Sequence, residues 1–165
     1  MSRLDLDAFH ALVGGTDYPM FIVTVSDGNE RAGCLVGFVT QTSIEPPRLL
    51  VCLSKANRTY RVSKGTQQLI VHFLADTDSE LAALFGEETG DETDNFADCE
   101  WHAGPGGAPV LAAGRGWVAA DILARVDGGD HEALLVSPRE VEVVAADRPQ
   151  LSFHQVRDLQ PGHPA

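Results

Sequence analysis

Basic residues are scarce in this sequence. Lys and Arg number 12 against 24 Asp and Glu, a formal charge of −12. That balance argues against nucleic acid and anionic membrane surfaces as partners, because both demand a basic face. Long apolar runs are missing too: none approaches the ~20 residues of a membrane span. The first residues, MSRLDLDAFHALVGG, carry acids where a signal peptide needs a basic start and an apolar stretch. The expected compartment is therefore the cytoplasm. Cysteine is rare and odd in number. Cys34, Cys52 and Cys99 form no close pair and read as reduced thiols, the first two as core residues on strands. The six histidines never fall at i, i+4 spacing or beside a C-x-x-C, so no metal site is expected. There is no Rossmann glycine fingerprint, no phosphate-binding P-loop and no nucleophile elbow.

What is present is a succession of short β-rich segments separated by Gly and Pro turns. A length of 165 residues fits one domain with a real core. Leu4, Ala8, Phe9, Leu12 and Val13 give a helical stripe that Gly14-Gly15 ends, so a helix is expected at about 5–13. Strands are expected over Tyr18–Ser26, Arg31–Val39, Arg48–Ser54, Gln67–Ala75, Pro109–Ala113, Arg115–Val126, His131–Val136 with a continuation at Val141–Ala145, and Leu151–His154. Short helices are expected up to about Ser63, capped by Asn57 or Ser54, and from Asp76-Thr77-Asp78-Ser79 to Gly86. Glu87–Asp98 reads as an acidic loop, Trp101–Gly107 as turn material and Pro161–Ala165 as a loose tail. About eight strands with one or two short helices describe an antiparallel β-barrel, since a parallel sheet would need a helix after nearly every strand.

Three constellations carry candidate chemistry. Gly33–Pro47, GCLVGFVTQTSIEPP, passes from an apolar run to the polar cluster Thr40, Gln41, Thr42, Ser43 and closes on Pro46-Pro47. It reads as strand, stiff loop, strand, and fits either a plain connection or a polar-ligand loop with free amides and hydroxyls. Lys55, Arg58, Arg61 and Lys64 concentrate four cations in an acidic chain beside a helix start at Asn57. They fit a phosphate site or a solvated basic face. Gly129-Asp130-His131 is a turn that lifts a carboxylate and an imidazole to a strand mouth, where Asp130 can orient His131. Asp121, inside an apolar strand, reads as an outward-facing residue.

Taken in order, these pieces resemble the flavin reductase-like family of FMN-binding split β-barrels, over about residues 18–159. The markers are Gly33–Pro47, Cys52-Leu53-Ser54 followed by Asn57-Arg58-Thr59, Pro109-Val110-Leu111, Gly129-Asp130-His131 and Leu151-Ser152-Phe153. The resemblance implies a mostly β, Greek-key-like antiparallel split β-barrel with a few short peripheral helices, one domain over residues 1–165, and a homodimer. It implies that Leu35, Val36, Gly37, Phe38, Thr40, Gln41, Thr42 and Ser43 line the flavin, and that Ser54, Lys55, Asn57, Arg58 and Thr59 reach its phosphate. Asp130 and His131 would position the nicotinamide of NADH or NADPH. The implied cofactor is FMN or FAD. The implied activity is NAD(P)H:flavin oxidoreduction, including service as the reductase component of a two-component monooxygenase. One departure matters: relatives carry Thr, Asn and Ser where this chain has Leu35, Val36, Gly37 and Phe38. Side-chain donors are lost there, while backbone amides remain and Gly37 allows a close approach. That departure favours a second reading, a non-catalytic flavin- or haem-binding split-barrel module or redox carrier. Retention of Asp130-His131 favours the enzyme.

Overall fold

The computed structural model describes residues 3–87 and 94–159. The expected loose tail, and residues 88–93 of the expected acidic loop, lie outside the described residues. β1 (Phe21–Ser26) is buried along almost its whole length because it has neighbours on both edges, β2 (Arg31–Val36) and β5 (Gln68–Phe73). Its alternate residues serve two different cores. Phe21, Val23 and Val25 face inward with Leu69 and Val71 of β5, whereas Ile22 faces outward into a second apolar cluster. This explains the lack of clean polar alternation in these strands: both faces are covered.

β3 (Val39–Ser43), β4 (Arg48–Ser54), β8 (Gly116–Asp127) and β9 (His131–Val143) complete a seven-stranded antiparallel sheet in the order β2-β1-β5-β8-β9-β4-β3. Residues of all seven strands, Val36 of β2 and Val39 of β3 included, pack into one core. The sheet therefore curls on itself as a split barrel, and among the described residues no ladder joins β2 to β3. α2 (Arg58–Ser63) adds Tyr60 and Val62 to the same core.

The outer face is covered by α3 (Ser79–Glu87), α4 (Phe153–Val156) and the two-stranded sheet of β6 (Trp101–Ala103) and β7 (Pro109–Leu111). His72 on β5, wholly buried, ties that layer to the barrel: its Nδ1 lies 3.0 Å from the Ile22 carbonyl and its Nε2 accepts from the Leu111 amide at 3.0 Å. With both ring nitrogens engaged as donor and acceptor, the ring is neutral, and burial pushes its pKa down to about 4. α1 (Leu6–Gly14) is capped by Asp5, whose carboxylate accepts from the Ala8 amide, yet none of its residues is buried.

Several expectations need correction. The polar cluster Thr40–Ser43 is strand β3, the end strand of the sheet, and the turn that follows it is Ile44–Pro47. The expected strand Arg31–Val39 breaks at Gly37-Phe38, where the chain crosses from one end of the sheet to the other. Trp101–Ala103 is a strand paired to β7, and Leu151–His154 leads into α4, started by Ser152 with Gln155 in a capping box. The described residues form nine strands and four α-helices, more than the sequence indicated.

Candidate functional site

The corner between β2 and β3 organises the site. Gly37 packs so closely on the Tyr18 ring that any Cβ there would run into it. The Val39 amide bonds back to the Gly37 carbonyl at 3.2 Å, a tight turn centred on Phe38, and the Phe38 carbonyl accepts from Cys52 of β4 at 2.9 Å. The backbone is thereby fixed while the Phe38 side chain is thrown outward, 50% exposed. Its ring centroid stands 5.1 Å from the His131 imidazole and 6.1 Å from Tyr18. Tyr18 in turn stacks on Phe153 at 4.7 Å and 12°. A row of four rings, Phe153, Tyr18, Phe38 and His131, results. Beside Phe38 lies an apolar cleft of about 350 Å³ walled by Tyr18, Gly37, Val39, Leu50 and Cys52. Partial burial raises the Cys52 thiol pKa, so the wall carries no thiolate.

His131 opens β9 directly opposite Ser54, the last residue of β4. The turn before it is held by Gly129, with φ of +112°, by the Gly128 amide on the His131 carbonyl at 2.9 Å, and by the Lys55 amide on the Asp130 carbonyl at 2.9 Å. The Asp130 carboxylate lies 2.7 Å from His131 Nδ1, and this hydrogen bond holds its pKa below the usual carboxylate range. With Nδ1–H donated to Asp130, neutral His131 turns an acceptor, Nε2, to the other side; protonated, it turns a donor there.

α2 starts beside this mouth. Asn57 Oδ1 accepts from the Thr59 amide at 2.9 Å and caps the helix. Two cations of the basic cluster are paired with acids, Lys55 with Asp127 at 2.6 Å and Arg58 with Glu30 at 3.2 Å, while Arg61 donates to the Ala56 carbonyl and Lys64 sits over the Tyr60 ring. Asp127 raises the Lys55 pKa through their hydrogen bond, and Lys55 lowers that of Asp127. The Thr59 hydroxyl is buried with no oxygen or nitrogen partner and faces the Cys34 thiol, whose pKa burial pushes up to about 12.

The fold thus brings together Gly37, Phe38, Ser54, Lys55, Asn57, Arg58, Asp130 and His131. It separates others of the sequence-derived set. The Leu35 side chain packs in the outer cluster and Val36 in the barrel core, so each can offer a ligand only backbone. Thr40 lines the cleft beside Phe38 and pairs with Leu50, whereas Gln41, Thr42 and Ser43 run on away from the mouth along β4; Ser43 pairs with Arg48, six residues and roughly 20 Å from Ser54 at ~3.3 Å per residue. Their position on an end strand leaves alternate amides facing outward. Thr59 is buried under the helix start. Asp121 is half-exposed and paired with Arg139 at 3.3 Å. Sequence reasoning missed Tyr18 and Phe153 as site residues. They meet because Pro19 bridges Ser152 and the Phe153 amide bonds the Tyr18 carbonyl at 2.8 Å, a pairing without a local sequence signal.

The donor set fits a flavin nucleotide: aromatic surface and outward amides for a planar ring, and a capped helix start with Arg58 for a phosphate. A family model described as flavin reductase like domain matches residues 13–161. The chain is 32% identical over 134 residues to the FMN reductase (NADH) RutF of Agrobacterium fabrum, covering 81% of this chain and 76% of that one. It is 29% identical to a "probable flavin reductase" of Rhizobium meliloti over 78% of its own length, but spans only 40% of that relative. Among solved structures, the NADH:FAD oxidoreductase SgcE6 of Streptomyces globisporus superposes with a TM-score of 0.81 at 23% identity, covering 93% of each chain.

Proposed function

This chain belongs to the flavin reductase-like domain family, and from that membership we propose that it is an NAD(P)H:flavin oxidoreductase acting on FMN or FAD. The observation that carries the reading is the convergence of Phe38, the capped start of α2 and the Asp130-held His131 at one mouth. The bound flavin supplies the ring that takes a hydride from the nicotinamide. The protein's own work is binding, orientation and exclusion of water. Gly37-Phe38 and the outward amides of β3 hold the ring, and Asn57 and Arg58 hold the phosphate. His131, steered by Asp130, meets the carboxamide of the reductant. Hydride transfer asks for reacting atoms within roughly 3–3.5 Å and for no proton from the protein. This agrees with an imidazole that Asp130 holds in place and that acts by position.

The relatives include reductase subunits of flavin-dependent monooxygenases, among them that of Rhodococcus jostii. Service to such a partner, by release of reduced flavin, is the role proposed here. We also propose a homodimer in the cytoplasm. Its support is the family resemblance and the unpartnered apolar residues Leu6, Phe9 and Leu12 of α1. No helix of the described residues is long and apolar enough to cross a membrane.

The test is direct. Purified protein is titrated with FMN and FAD by fluorescence quenching, then supplied with NADH or NADPH while absorbance at the nicotinamide band is followed. Flavin-dependent consumption of either nucleotide is expected. Flavin or haem binding without nucleotide oxidation would replace the enzyme with a non-catalytic carrier.

A further inference from the structure

Phe38 is a large apolar residue that the fold does not bury. Its ring belongs to none of the three apolar cores, yet it is not loose. The turn at Gly37-Phe38 fixes its backbone, Cys52 anchors its carbonyl, and Tyr18 and His131 flank its ring. Tyr18 is itself backed by Phe153. A half-exposed aromatic ring braced by other rings has little rotamer freedom left to lose on meeting a ligand, so stacking there is gained at small entropic cost. Leu35 and Val36, hydrocarbon side chains packed in the cores, offer the same ligand no side-chain hydrogen bond. Cations at the α2 end are held by acids, Lys55 by Asp127 and Arg58 by Glu30.

We propose that Phe38 is the specificity-determining residue of the mouth: its ring is a stacking platform for the tricyclic isoalloxazine ring, and recognition therefore rests on the ring more than on the ribityl phosphate tail. This deepens the flavin reading above and depends on it. The chemical class accepted is a planar fused aromatic ring system: riboflavin, FMN and FAD all bind through it, a phosphate contact at Arg58 adds to the affinity for FMN, and the bare ring lumichrome binds as well. Aromatic–ring stacking at exposed platforms, measured on nucleobases, supports losses of roughly five- to 150-fold on removal of the aromatic residue.

The experiment measures binding of lumichrome and of FMN, each by quenching of its own fluorescence, to the wild-type chain and to Phe38→Ser, Phe38→Leu and Phe38→Tyr. Thermal melts accompany each variant, and little change is expected because Phe38 lies outside the cores. Expected results are lumichrome binding by the wild type, a loss of about tenfold or more for both ligands in Phe38→Ser, a smaller loss in Phe38→Leu, and retention within about twofold in Phe38→Tyr. Unchanged lumichrome affinity in Phe38→Ser and Phe38→Leu overturns the proposal while leaving the flavin reading intact. So does a loss confined to FMN. A wild-type chain that binds neither ligand overturns both the proposal and the reading beneath it.

Discussion

At the residue scale, His131 is defined by its partner. Asp130 fixes the imidazole through Nδ1 at 2.7 Å, so Nε2 is left facing away from Asp130 in one orientation. Since hydride transfer needs no proton from it, its expected contribution is placement of the reductant. His131→Ala should raise KM for NAD(P)H and slow flavin reduction while FMN affinity changes little. One or two lost hydrogen bonds amount to ~1–3 kcal/mol, or roughly five- to 150-fold in kcat/KM. Stopped-flow reduction of FMN-loaded protein measures this, and an unaltered rate and nucleotide dependence would remove His131 from the site. His72 is the other histidine with a definable role, and it is structural. Its native pKa of about 4 lies below the ordinary 6.5. Above pH 6.5 the ring is neutral folded or unfolded, and its contribution is fully present. As pH falls from 6.5 to 4 the unfolded chain takes up a proton that the native ring refuses, and stability is lost, on the order of 3 kcal/mol. Urea unfolding across that range should show the loss in wild type and a shallower dependence in His72→Gln. Equal slopes would mean that His72 is not responsible.

At the element scale, the proposed phosphate contact lies at the start of α2. Asn57 accepts from the Thr59 amide, and Arg58 lies beside it, held by Glu30. A phosphate must compete with Glu30 for that guanidinium. Arg58→Ala is expected to weaken FMN binding more than riboflavin binding, by about tenfold or more, as for a charge-assisted hydrogen bond of roughly 1.5–3 kcal/mol. Glu30→Gln should act in the opposite sense, strengthening FMN alone. Parallel calorimetric titrations with FMN and riboflavin check both, and equal losses for the two ligands in Arg58→Ala would show that the arginine does not reach the phosphate.

At the scale of the whole molecule, the uncovered parts are informative. α1 buries none of its residues although Leu6, Phe9 and Leu12 are apolar, and the far ends of β8 and β9 expose Leu123, Val126, Val141 and Val143. Apolar surface left this way by a folded chain favours association. Light scattering at micromolar concentration is expected to give twice the 17.7 kDa of one chain. A mass of one chain alone would contradict the dimer.

Local chemistry was sufficient for much of this protein. Arg48–Ser54, the Asn57 cap, the turn before His131 and the Asp130–His131 pair were readable from sequence, because β-branched runs, capping side chains and Gly-Asp turns act through neighbours along the chain. Thr40–Ser43 was not readable as a strand. It has no apolar pattern, and its strand character comes from hydrogen bonds to β4 across the turn at Pro46-Pro47. Nor did the sequence reveal that Leu35 and Val36 point into cores while Phe38 points out. Leu35 and Val36 take opposite faces by the alternation of β2, and the turn at Gly37-Phe38 then throws the Phe38 ring outward. The row of rings from Phe153 to His131 and the pairing of Arg58 with Glu30 were decided by tertiary structure alone. Each depends on which distant strands the barrel sets side by side, and side-chain chemistry along the chain carries no record of that.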